Sequence, residues 1–163
     1  MTDIPPFLRM RPPPGGLPDP EVQPEFYDWG PLKRFLAWVI DTLLTVALTA
    51  VAVVVFLLPL IGPFAVVVMQ GLYVVVSLAY RTATLARFGA TPGMAMAAIK
   101  LRRLDGSRPD AAIAFLHSLG YTLSVLFVFP QILSVVLMVV GRRGRGLSDL
   151  LLGTAVLNRA ASV

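Results

Sequence analysis

Three long apolar runs organise this chain. The first extends from about Leu32 to Leu58, opened by Pro31 as a helix starter and by the basic pair Lys33-Arg34. Pro59, Gly62 and Pro63 interrupt it, and the apolar pattern resumes from Phe64 to Tyr80 and closes on Arg81. A bilayer core of about 30 Å needs roughly 20 helical residues, so these runs predict two spans (32–58 and 64–81) joined by a tight, uncharged turn.

The third run, Ala111–Val140, carries no charged residue and contains Pro130 near its middle. A single crossing would leave Arg142, Arg143, Arg145 and Arg159 outside, against the preference of basic residues for the cytoplasmic side. Two crossings would give helices of only about 22 Å each at 1.5 Å per residue. A Pro-broken, half-depth membrane hairpin meets both constraints, with its bend covered by protein. The expected fold is therefore an all-α membrane protein with two transmembrane helices plus this hairpin; three transmembrane helices are the alternative.

Between the second and third runs, residues 81–110 carry Arg81, Arg87, Lys100, Arg102, Arg103 and Arg108 against Asp105 and Asp110. That excess places the loop in the cytoplasm and, two spans earlier, the N-terminus too. Thr91-Pro92-Gly93 reads as a turn, Met94–Leu101 as a short apolar segment, and Asp105-Gly106 as a tight turn, together a short hairpin or a surface-lying segment. Residues 1–31 hold nine of the fourteen prolines and lack the apolar core of a secretory signal, so they read as a disordered cytoplasmic tail retained on the chain. The aromatic cluster at its end, Phe26-Tyr27 and Trp29, suits a membrane interface or an ordinary linker equally. Residues 158–163 read as a short C-terminal tail.

Composition agrees with the pattern. Of 163 residues, 56% are hydrophobic and 14% charged, and the mean hydropathy is +0.77, against roughly 45–50% apolar and 25% charged in soluble domains. The absence of cysteine removes thiol catalysis, disulfide scaffolds and Cys-bound metals. The net charge of +5 comes from basic residues that flank apolar runs, which argues against nucleic acid as a partner and for the lipid bilayer. No nucleophile–base set, phosphate loop or metal-ligand cluster can be assembled, so neither an enzyme nor a cofactor is expected. His117, the sole histidine, reads as an interfacial or satisfied core residue, and Gln70, Tyr73, Ser77, Ser124 and Gln131 as helix-contact groups or the lining of a polar path.

The charge pattern singles out Asp41, the sole charged residue between Arg34 and Arg81. An ionised carboxylate facing hydrocarbon costs at least about 2.5–3.5 kcal/mol, so Asp41 should face protein or water. It is a candidate either for handling a proton or cation or for pairing helices. Arg34 precedes it by seven residues, on the same helix face and about 10 Å away along the axis. Either a third group lies between them, or each pairs with another helix. Asp149 follows the Arg142–Arg145 cluster and opens a short apolar segment, where Ser148 or Asp149 could cap an interfacial helix.

Four segments in this order and spacing resemble one known family: Lys33-Arg34-Phe35-Leu36-Ala37-Trp38-Val39-Ile40-Asp41, the Gly89–Gly93 turn, the loop Asp105–Pro109, and Gly146-Leu147-Ser148-Asp149-Leu150-Leu151-Leu152-Gly153-Thr154. The chain resembles the RDD family of integral membrane proteins over about residues 30–157. The family is named for one arginine and two aspartates, which by position are Arg34, Asp41 and Asp149. Met94 and Ser148 depart from the basic residue and the His or Gly that members often carry at those places. The resemblance implies a membrane domain over 32–157 in the cell (inner) membrane, multi-pass, with a small transporter or an ion- or proton-coupled component as its reading. A non-transporting structural or accessory protein with a buried Arg–Asp network is the alternative. Either reading fits a homo-oligomer or a partnership with another membrane protein, and the first adds a small ion or proton as ligand.

Overall fold

A computed structural model describes residues 16–56 and 65–159. The chain is mostly helical: α1 (Gly30–Phe56), α2 (Ala65–Phe88), the short α3 (Pro92–Met96), α4 (Ala111–Leu126), α5 (Val128–Val140) and α6 (Leu147–Leu152). Strands β1 (Ile99–Arg103) and β2 (Thr154–Asn158) and a single 3₁₀ turn, Pro24–Phe26, complete the described elements. The expected turn at Pro59–Pro63, residues 1–15 and residues 160–163 lie outside the described residues.

Within the described residues, one helical stretch, Pro24–Val54, contains a window long and apolar enough to cross a bilayer alone, with mean hydropathy 2.1. The third apolar run is split into α4 and α5, bent by 116° against each other. At 16 and 13 residues they span about 24 and 20 Å, each short of a hydrocarbon core. The break lies at Phe127, whose extended backbone (φ −109°, ψ 104°) caps both helices. Pro130 falls in the first turn of α5, where its missing N–H would have had no helical partner anyway. Thus the bend that Pro130 predicts is present but sits three residues earlier.

The all-α expectation needs one correction. β1 and β2 pair antiparallel, with Leu101 opposite Val156 and Arg102 opposite Ala155. Ile99-Lys100-Leu101 alternates apolar and basic positions as a half-buried strand should. Its partner is not the segment after Asp105-Gly106, as a local hairpin would require, but a strand about fifty residues later. Between Asp149 and that strand, Gly153 adopts the left-handed conformation (φ 61°) that ends α6 and turns the chain into β2. The segment read as an interfacial helix after Asp149 is therefore a single helical turn followed by a strand.

The ribbon has two covered faces. Ile99, Leu101 and Val156 pack with Ala37 of α1, Leu85 of α2 and Ala114 of α4, tying together the ends of three long helices. Ala155 and Leu157 pack on the opposite side against Leu17 and Phe26. Where proline content predicts an unpacked tail, the half from residue 16 onward is thus seated on β2, because that apolar face would otherwise meet water. Tyr27 donates from its hydroxyl to the Pro18 carbonyl at 2.7 Å. Asn158 donates to the Glu25 and Asp28 carbonyls and accepts from Lys33 Nζ at 2.8 Å.

Beyond this small core the molecule is inside out. Leu43, Val51, Phe129 and Val140 are exposed, while Asp41 and Asp149 are each 1% exposed. A soluble monomer rarely presents such continuous apolar surface. The span hydroxyls close on their own helices: Thr45 donates to the Asp41 carbonyl, Thr49 to Thr45, Ser118 to Ala114 and Ser124 to Gly120.

Candidate functional site

Arg34, Asp41 and Asp149 all line one cavity of about 520 Å³ between α1 and the α4–α5 bend. Arg34 and Asp41 reach it together because they share a face of α1. They do not share a partner: each is engaged by a different part of the ribbon region and its flanking turns.

Asp41 is held by the Thr91-Pro92-Gly93 turn. Its Oδ2 accepts from Thr91 Oγ1 at 2.5 Å, and its Oδ1 accepts from the Gly93 backbone N–H and the Tyr80 hydroxyl, both at 2.9 Å. Thr91 in turn caps α3 by accepting from Met94 N–H at 3.2 Å. The turn can approach only because residue 93 lacks a side chain; a Cβ there would overlap the Ala37 carbonyl oxygen and the Asp41 carboxylate. Arg81 Nη1 lies 3.8 Å from Asp41 Oδ2, close enough for charge compensation but beyond a hydrogen bond.

Asp149 forms the second anchor. Its Oδ2 accepts from Arg34 Nη2 at 2.6 Å and from the Gly146 N–H at 3.0 Å, closing the start of α6, while its Oδ1 accepts from Thr154 Oγ1 at 2.9 Å. His117 Nδ1 of α4 lies 3.7 Å from the same oxygen. Burial alone would push this carboxyl's pKa up; Arg34, His117 and the Gly146 N–H outweigh it and hold the group below its ordinary value. Leu147 N–H donates to Ser134 Oγ of α5 at 3.0 Å, so the α6 start is pinned to the hairpin as well.

A model described as the RDD family matches residues 30–153. The chain belongs to the RDD family. No curated relative and no solved structure matches it. In this family member, the arginine and two aspartates that the resemblance singles out divide into an Arg–Asp pair, Arg34 with Asp149, and an aspartate, Asp41, that engages a turn and two other side chains. Ser148 lies against Gly120 of α4: a Cβ on Gly120 would come to 3.0 Å from Ser148 Oγ. The histidine near Asp149 comes from α4, as His117.

Sequence reasoning passed over five participants: Tyr80, Arg81, Thr91, Thr154 and His117 at the two carboxylates. Arg81 and Thr91 were visible as a span end and a turn residue. Nothing local in the sequence links Tyr80 or Thr154 to an acid, except that Thr154 closes the family-like segment that begins at Gly146. Gln70, which sequence placed among candidate path residues, is exposed, and Ser124 hydrogen-bonds within its own helix. Among the described residues, no cluster of three or more His, Asp or Glu side chains is placed to hold a metal.

Proposed function

We propose that this RDD-family chain is a multi-pass protein of the cell membrane with a cytoplasmic N-terminus, α1 and α2 spanning and α4–α5 forming a half-depth hairpin. Its role is that of a non-transporting structural or accessory component, working with a second copy or another membrane protein. The observation that carries this reading is the saturation of both buried acids. Every carboxylate oxygen of Asp41 and Asp149 already accepts at least one protein hydrogen bond. A carboxylate that binds a transported cation must surrender such donors on each cycle, and here that would release the turn before α3 or the start of α6. Paired and fully bonded, the acids contribute positional specificity to the fold.

The transport reading keeps one observation in its favour: the cavity reaches both acids and Arg34. Reconstitution separates the two. The purified chain in sealed vesicles is expected to give proton and monovalent-cation flux equal to that of protein-free vesicles, and Asp41→Asn is expected to lower its abundance in membranes. Flux above the protein-free level that Asp41→Asn abolishes at unchanged abundance would establish transport instead. Labelling at the C-terminus in intact cells tests the hairpin: an unreactive C-terminus agrees with a half-depth α4–α5, and a reactive one indicates a third crossing.

A further inference from the structure

The cavity has two unlike ends. Toward α6 and the turn before α3 it is lined by Arg34, Asp41, Arg81, His117 and Asp149; toward the α4–α5 bend it is lined mainly by Val125, Val128 and Ile132, with Ser124 and Gln131 beside them. The rim at that second end is exposed and apolar: Val128 is 70% and Ile132 57% exposed, with Phe35 and Trp38 exposed across the opening on α1. On the bilayer placement proposed above, on which this inference rests, the mouth opens sideways into hydrocarbon.

Donors are in surplus at the polar end. The formal charges of Arg34 and Arg81 cancel those of Asp41 and Asp149, but the oxygens of both acids are taken up by the partners already described. Arg81 rests its guanidinium over the Tyr121 ring at 4.3 Å, and its Nε is buried without a hydrogen-bond partner. His117 Nδ1, 3.7 Å from Asp149 Oδ1, is likewise buried without a hydrogen bond. Both residues line the cavity, and each carries beside it a buried nitrogen without a hydrogen-bond acceptor, so the polar end holds more donors than acceptors. A planar guanidinium with free edges suits a phosphate, and the volume lies within the range of ordinary ligand sites.

We propose that the cavity seats an anionic phospholipid of the surrounding bilayer, its phosphate oxygens accepting from Arg81 and His117 and one acyl chain lying along Val125, Val128 and Ile132. A zwitterionic choline head is disfavoured because its ammonium would lie beside two arginines, with the Tyr121 face already covered by one of them. Free phosphate would satisfy the donors but leave the apolar half of the cavity unfilled.

The full chain, extracted in mild detergent, is examined by native mass spectrometry with phosphatidylglycerol, phosphatidylcholine or inorganic phosphate added. Phosphatidylglycerol is expected to be retained at one per chain, at least about tenfold more strongly than phosphatidylcholine. Arg81→Gln is expected to erase that preference. Ile132→Trp, which fills the apolar half from a rim position that is 57% exposed, is expected to reduce retention while leaving the melting temperature unchanged. Equal retention of the two lipids by the wild type, undiminished retention by Ile132→Trp, or displacement of the lipid by millimolar phosphate would each overturn the inference. Release of the protein from membranes by alkaline carbonate would overturn the bilayer placement and this inference with it. A protein that stays in the membrane but shows no lipid preference overturns this inference alone.

Discussion

Replacing Arg34 by alanine tests the second anchor directly. The Arg34–Asp149 contact is 2.6 Å, and the side chains are 14% and 1% exposed, so solvent does little to screen it. Breaking a buried pair by removing one partner costs about 3–5 kcal/mol, because the surviving charge is left uncompensated. Asp149 would keep Gly146 N–H and Thr154 Oγ1, which places Arg34→Ala near the lower end, at about 3 kcal/mol. Asp149→Ala loses all these bonds at once and should cost at least as much. The double variant should be less damaging than the sum by at least about 1 kcal/mol, because the second removal no longer strands a charge. The assay is reversible unfolding in mixed micelles with increasing sodium dodecyl sulfate, followed by tryptophan fluorescence. A coupling energy below about 0.5 kcal/mol would mean that the two residues act independently and would refute the clamp.

Gly93→Ala should prevent the turn from docking on α1, since both groups its Cβ would strike are fixed by backbone or burial; a loss of about 3 kcal/mol is expected, read as a missing monodisperse peak on size exclusion. Asp110 caps α4 by accepting from Ile113 N–H at 2.8 Å, so Asp110→Ala should cost about 1 kcal/mol and Asp110→Asn almost nothing, compared by thermal midpoint. Asp149 is favoured as the carboxylate in the folded state, its pKa lying below the ordinary 3.8. Its stabilisation is therefore fully present above that value and is lost as pH falls through the lower folded value. The stability gap between wild type and Asp149→Asn should be wide at pH 7 and close in strongly acidic solution; a gap independent of pH would contradict this.

The acids and the long helices were legible because they are local statements. Asp41 stands alone in an apolar run, the seven-residue step from Arg34 puts both on one face, and apolar runs of such length form helices in lipid almost regardless of detail. The partners were not legible because they are statements about folding back. Asp41 and Thr91 are 50 residues apart and Leu101 and Val156 are 55 apart, and no periodicity within either segment records the other. The bend at Phe127 shows a competition between two local rules. Proline attracts the prediction, yet proline is well tolerated in a first helical turn, so the break moved to the residue that could adopt an extended backbone. The proline-rich segment misled for another reason: Leu17 and Phe26 carry no periodic signal, and what seats them is the apolar face of a strand near the other end of the chain.

One face of α1 therefore fixes two separate pieces of the ribbon region, about two helical turns apart. Near the start of the helix, Arg34 offers a cation to a piece that brings an acid; deeper in, Asp41 offers an acid to a piece that brings N–H and O–H donors. The reversal of sign has a consequence for specificity. Exchanging the two pieces would set Asp149 against Asp41 and leave Arg34 facing the donors of Thr91 and Gly93, so the wrong docking is penalised twice. Because β1 follows the Thr91–Gly93 turn and β2 follows α6, correct docking of both also sets the strand register, and the ribbon then closes over the helix ends through Ile99, Leu101 and Val156. The cavity is the space left between these anchors and the bent hairpin. Its polar end exists because the anchors need charge there, and its apolar end because α5 is too short and too steeply turned to pack along α1.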